Sequence, residues 1–121
     1  NYPDPQMPTP GIFGNKQILV LGEFGGLGLP VDGHTWQEKN NWGYQSFKNN
    51  DELLGRYTRL INDLTPLIPL GLSAAIYTQT TDVEVEVNGL MTYDRKVMKI
   101  PLEKLQQLHQ QLYNKELVKM K

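Results

Sequence analysis

The stretch KQILVLGEFGGLG, residues 16–28, limits what this chain can become more than any other. A mostly aliphatic run from Ile18 to Gly22 leads without a break into one carboxylate, Glu23, and then into a loop crowded with glycine. Unbroken apolar runs of this kind belong to strands covered on both faces, as in parallel sheets. Such a strand delivers Glu23 to its C-terminal tip, where α/β proteins concentrate their chemistry and glycines let other groups approach closely. Glu23 is the first candidate for a reacting carboxylate; the plain alternative is a surface ion pair.

Length and charge set the frame for that strand. A chain of 121 residues holds one domain with a modest core, so residues 1–121 are expected to form a single unit. Lys and Arg number 12 against 13 Asp and Glu, which leaves no basic stripe for nucleic acid. The absence of cysteine removes disulfides and thiolate metal sites. No apolar run approaches membrane-spanning length, and no membrane partner is expected. The sequence opens at Asn1, without an initiator Met, in a Pro-rich segment, and is expected to be a piece of something longer.

Taken in order, the chain predicts strand, helix, strand, helix. Pro3, Pro5, Pro8 and Pro10 make residues 1–14 an extended lead-in. Residues 16–23 form the first strand, and residues 24–50 a long loop whose aromatics argue against disorder. Asn49 with Glu52 reads as a capping box, and Leu53, Leu54, Tyr57, Leu60, Ile61 and Leu64 fall on one helical face. Pro66, Pro69 and Gly71 end that helix. LSAAIY, residues 72–77, is a second buried-type strand, and residues 83–87 alternate Val with Glu as a strand or extended loop. Pro101 then starts a last helix with Leu102, Leu105, Leu108, Leu112 and Leu117 facing inward. Two parallel strands and two helices leave one apolar sheet face wet unless other strands or another chain cover it.

Several side chains in the loops carry candidate chemistry. His34 and Trp36 in GHTW, with Trp42 and Tyr44 in NWGY, suit an aromatic platform for a sugar or another amphipathic ligand, or simply pin the loop. Tyr77, Gln79, Thr80, Thr81 and Asp82 follow the second strand, at the same end as Glu23 if the strands are parallel, and either bind a hydroxylated ligand or satisfy loop backbone groups. GGLGLP lacks the spacing of a phosphate cradle. Two histidines do not make a metal pair, and His109 is expected on a helix surface. Glu84 and Glu86 read as a solvated face, and Asp94 with Arg95 as a structural ion pair in a turn.

LGEFGGLGLPVDGHTW, followed by GLSAAIYTQTTDVEVEVNGLMTYDRK, resembles the C-terminal end of the catalytic barrel of family 2 glycoside hydrolases, the β-galactosidase and β-glucuronidase group. The resemblance is most specific in EFG and in the turn from Gly89 to Arg95. It implies an α/β fold in which this βαβα chain supplies strands seven and eight, with their helices, of a (β/α)8 TIM barrel. It implies retaining hydrolysis of O-glycosidic bonds by two carboxylates roughly 5 to 5.5 Å apart, with Glu23 as the nucleophile. The resemblance places Tyr2 where a tyrosine neighbours that carboxylate and Tyr77 where the family carries a tryptophan in the sugar pocket. Substrate contacts are accordingly expected from Tyr2, His34, Trp36, Trp42, Tyr77 and Gln79, with no metal and no cofactor. The acid/base Glu has no counterpart in this chain, so the fragment is expected to be inactive alone. Its implied partners are a carbohydrate substrate and the rest of the parent barrel, or further copies of itself. A periplasmic or extracellular parent is the implied location. The alternatives are a non-catalytic carbohydrate-binding relative and a self-assembling fragment without activity.

Overall fold

The computed structural model describes residues 2–9, 11 and 16–113. Among them the elements run β1 (Leu19–Gly25), β2 (Leu27–Gly28), β3 (Gln45–Ser46), α1 (Asn50–Leu64), β4 (Leu72–Thr78) and α2 (Leu102–Gln110). Short 3-10 turns follow α1 at Thr65–Leu67 and α2 at Gln111–Tyr113. No helix among the described residues is long and apolar enough to cross a membrane.

α1 begins where its capping residues dictate. Asn49 has extended backbone angles, and its side chain accepts a hydrogen bond from the Glu52 amide at 2.9 Å. The Glu52 carboxylate reaches back one residue further than a capping box requires and accepts from the Lys48 amide at 3.0 Å. Leu53, Tyr57, Leu60, Ile61 and Leu64 are buried along one stripe of the helix. In α2, Pro101 is the N-cap and the helix starts at Leu102. Leu105 and Leu108 are buried, whereas Leu102 in the first turn is exposed; Leu117 lies outside the described residues.

β1 and β4 form a parallel ladder, with Leu19 opposite Leu72 and Gly25 opposite Thr78. β2 and β3 form a second, separate parallel ladder. The expected βαβα portion of a TIM barrel is thereby corrected. A barrel wall needs each strand hydrogen-bonded on both edges, but among the described residues each ladder has two strands, and the second sheet lies entirely within residues 24–50, expected to be loop. The alternating segment 83–87 is no strand either. Val83 and Glu86 exchange backbone hydrogen bonds of 3.1 and 2.9 Å around Glu84, whose φ is +51°, so the segment is a tight turn.

The core gathers on one side of the larger sheet. Phe24, Leu27 and Leu72 pack with Tyr57, Leu60, Ile61 and Leu64 of α1 and with Leu105 and Leu108 of α2. Val20 lies opposite Ala74, and alternation puts Ile76 on that same face. Val20 and Ile76 are 46% and 53% exposed, and Ile18 before the strand is 77% exposed. The apolar run expected to be covered on both faces is covered on one.

The irregular segment between β4 and α2 is organised by a buried ion pair. Lys99 Nζ donates to Asp82 Oδ1 at 2.6 Å and to the Val87 carbonyl at 2.8 Å, with both charged side chains essentially out of contact with water. The Gly89 amide donates to the same Asp82 oxygen at 2.8 Å. A Cβ on Gly89 would lie 2.2 Å from the Asp82 nitrogen, so only glycine permits this turn. Burial pushes the Asp82 carboxyl up and the Lys99 ammonium down from their usual values, and the attraction between them opposes both shifts. Losing one member strands the other, whereas replacing both removes the uncompensated charge.

His109 of α2 is not the surface residue expected from its polar neighbours. Its Nε2 lies 2.7 Å from the Tyr57 hydroxyl of α1. Burial pushes the Tyr57 phenol up to about 12 and pushes the imidazole down from its usual value. The phenol therefore keeps its proton and donates it to a neutral ring.

Two outcomes follow from these contacts. Lys99→Met is expected to cost about 3–5 kcal/mol, read from the denaturant midpoint, and Asp82→Asn combined with Lys99→Met to recover part of that loss. Because the folded-state pKa of His109 lies below its unfolded value, stability is fully present above about pH 6.5 and is lost as pH falls through the folded value. A melting-temperature series should show that acid slope, and His109→Gln should flatten it.

Candidate functional site

The tip of β1 carries the aromatic surface of the molecule. Tyr2 donates its hydroxyl to Glu23 Oε1 at 3.1 Å, and burial, then Glu23 itself, raises the Tyr2 phenol well above its usual range. The phenol is therefore a fixed donor and Glu23 the acceptor. A shallow cavity of about 350 Å³ beside this pair is lined by Tyr2, Asp4, Gln6, Met7, Val20 and Glu23 among others.

From Tyr2 a row of rings runs across the surface. Tyr2 and Tyr44 meet edge to face with centroids 4.5 Å apart, and Tyr44 meets Trp42 in the same way at 5.2 Å. Tyr2, Tyr44 and Trp42 remain 40%, 54% and 40% exposed. Beyond Trp42, the Trp42 amide donates to the Val85 carbonyl and its carbonyl accepts from the Val87 amide, both at 2.9 Å. These bonds bridge the Trp42 backbone to that of Glu86, whose carboxylate accepts from the Gln79 amide group at 3.3 Å. Gln79 also donates to Asn88 at 2.6 Å.

Glycines set the spacing of the row. Gly26 has φ +76°, and a Cβ there would sit 2.5 Å from the Tyr44 ring and 2.6 Å from the Tyr2 hydroxyl. Gly43 and Gly28 bring the β2 and β3 backbones together so closely that a Cβ on Gly43 would lie 2.8 Å from the Gly28 Cα. The glycine-crowded loop is thus a packing device for aromatic rings.

Other candidates fall elsewhere. His34 Nδ1 pairs with Asp94 Oδ2 at 2.7 Å, and Trp36 meets Tyr93 edge to face at 5.7 Å, so these two form a separate cluster. The Thr92 hydroxyl and then His34 hold the Asp94 carboxyl well below the usual carboxylate range. Asp94 is thereby committed to Thr92 and His34, not to the Arg95 expected from adjacency. Tyr77 packs in the core between Phe24 and Tyr57, at ring distances of 5.5 and 5.0 Å, and its hydroxyl is buried. Tyr44, part of the expected aromatic platform, belongs to the first row, and Tyr93, which the sequence did not single out, belongs to the second cluster. No group of three or more His, Asp or Glu among the described residues is placed to hold a metal ion.

This geometry offers one carboxylate held by a phenol at the end of an exposed aromatic row. The chain is similar to part of a MICOS complex subunit. Over 82 residues it is 33% identical to MICOS complex subunit MIC27 of Zygosaccharomyces rouxii, an alignment covering 67% of this chain and 34% of that protein. The chain spans about a third of the length of the curated relative it matches. No family model matches.

The resemblance to family 2 glycoside hydrolases is corrected by that finding, because the similar protein is a subunit of a complex and not a glycosidase. The β-galactosidase-like activity goes with it, as do the carbohydrate-binding and self-assembling alternatives. The expected partners, a carbohydrate substrate with the parent barrel or further copies and no membrane, are withdrawn on the same ground. So is the periplasmic or extracellular location, which only the resemblance implied. The physical reason is that EFG and the turn at 89–95 are short local patterns, and a fold or a local motif does not by itself carry a reaction.

Gly26→Ala tests the packing role of the loop. The substitution is expected to cost about 1–3 kcal/mol from positive φ and ring collision together, and to weaken the near-ultraviolet circular dichroism of the aromatic row. Gly33→Ala, where φ is +77° but nothing lies within 4 Å, should show only the smaller backbone cost.

Proposed function

We propose that this chain is a non-enzymatic docking module of a multi-subunit protein assembly, comparable in role to a MICOS complex subunit. One observation carries the reading: a two-stranded parallel sheet that exposes Ile18, Val20 and Ile76 on its uncovered side. Parallel sheets are ordinarily covered on both faces. A sheet of two strands among the described residues, with an exposed apolar face, offers a surface that another protein can complete. The local similarity to a protein named as a complex subunit supports the same reading. The chain acts in it as a single unit, with one core holding both helices against the larger sheet.

The test is crosslinking in native cells. A photo-reactive residue at Ile76 is expected to give adducts with subunits of a MICOS-type complex, identified by mass spectrometry. The same residue at the exposed Glu103 of α2 should give far fewer. Equal labelling from both positions, or no adduct from Ile76, would overturn the proposal.

A further inference from the structure

We infer that the row formed by Glu23, Tyr2, Tyr44 and Trp42 is a receptor for a cationic side chain, and that the docking partner presents an arginine to it. The inference rests on the docking reading above but on a different surface, the aromatic row rather than the sheet.

Three features of the row select a cation. First, the rings of Tyr2 and Tyr44 are inclined at 60° and those of Tyr44 and Trp42 at 74°, so each contact forms a corner walled by aromatic surface. Ring faces carry the negative side of the aromatic quadrupole and attract a positive group placed over them. Second, an acidic residue accompanies each end of the row: Glu23 accepts from the Tyr2 hydroxyl, and Glu86 is bridged through its backbone to Trp42. Neither makes a salt bridge among the described residues, although Arg56 nearby is committed to Asp4 at 2.7 Å. Third, Glu23 Oε1 is held by the Tyr2 hydroxyl, which orients the carboxylate without neutralising it.

Charge complementarity then identifies the occupant. A neutral or apolar partner segment would cover Glu23 and leave a desolvated carboxylate without a counter-charge. A cationic side chain compensates that charge while its flat surface lies against the rings. Arginine fits better than lysine, because the planar guanidinium stacks on aromatic faces and offers paired N–H donors to a carboxylate. The missing Cβ at Gly26 lets the two tyrosines hold this arrangement before any partner arrives, since a side chain there would displace both.

The experiment uses the 121-residue chain with Trp36→Phe, so that Trp42 alone reports by fluorescence. The probes are capped pentapeptides Gly-Gly-Xaa-Gly-Gly with arginine or its neutral isostere citrulline at the centre. The arginine peptide is expected to bind about tenfold more tightly than the citrulline peptide, and Glu23→Gln or Tyr44→Leu to weaken it by roughly five- to tenfold. Amide shift mapping on the unsubstituted chain should centre on Tyr2, Glu23 and Trp42, which keeps the test decisive if Tyr44→Leu disturbs folding. Equal binding of both peptides, shifts centred elsewhere, or no binding at roughly 10 mM would each overturn the inference. Adducts from Ile76 persisting beside any of those results would show that docking stands and the arginine receptor does not.

Discussion

A lysine and an aspartate shut away from water hold the least regular part of this molecule together. Between β4 and α2 the chain makes no strand or helix for more than twenty residues, and backbone groups there must find partners one at a time. Asp82 supplies one oxygen to both Lys99 and Gly89, and Lys99 caps the Val87 carbonyl with the same ammonium group. The turn so formed presents Val85 and Val87 to Trp42, so the aromatic row takes its far end from a buried charge pair. Such a pair is weak evidence for stability, because desolvating two ions offsets most of their attraction. Its value is geometric: alternative arrangements of the segment would leave one charge without the other.

Much of the regular structure was legible from the residues, and the reasons are local. Asn49 and Glu52 announce α1 because an orphan amide and a nearby acceptor need nothing from the rest of the chain. LVLG and LSAAIY announce β1 and β4 because aliphatic density persists whatever packs on it. Val83 to Val87 misled, since five alternating residues fit a tight turn as well as a strand. Asp82 and Lys99 left no signal at all. They stand 17 positions apart, and neither neighbourhood names the partner that would make a buried charge tolerable. Tyr77 shows the same limit, since the ring expected as a ligand contact packs edge to face against Phe24 and Tyr57 at the border of the core.

The candidate site was legible in its parts but not in its grouping. Glu23, Tyr2, Trp42 and Gln79 do converge on one end of the sheet, through the backbone links of Gly26 to Thr78 and Trp42 to Val87. His34 and Trp36, close in sequence to Trp42, are drawn away by Asp94 and Tyr93. Rings and a carboxylate suit sugars and protein side chains alike, so residue type alone leaves the ligand class open. The proposed protein ligand rests on the company of the site: two carboxylates without a salt bridge among the described residues, an exposed sheet face, and similarity to a protein named as a complex subunit.

The pairing of β1 with β4 also has a consequence for how the protein is made. The ladder joins Leu19 to Leu72, so roughly 50 residues must leave the ribosome before the first strand meets β4. At about 5–20 residues per second that is a wait on the order of 3–10 s. During it an aliphatic strand and its unsatisfied amides are available to any passing chain. The strand left exposed on one face in the folded chain is thus exposed on both faces, and along both edges, while the chain is being made.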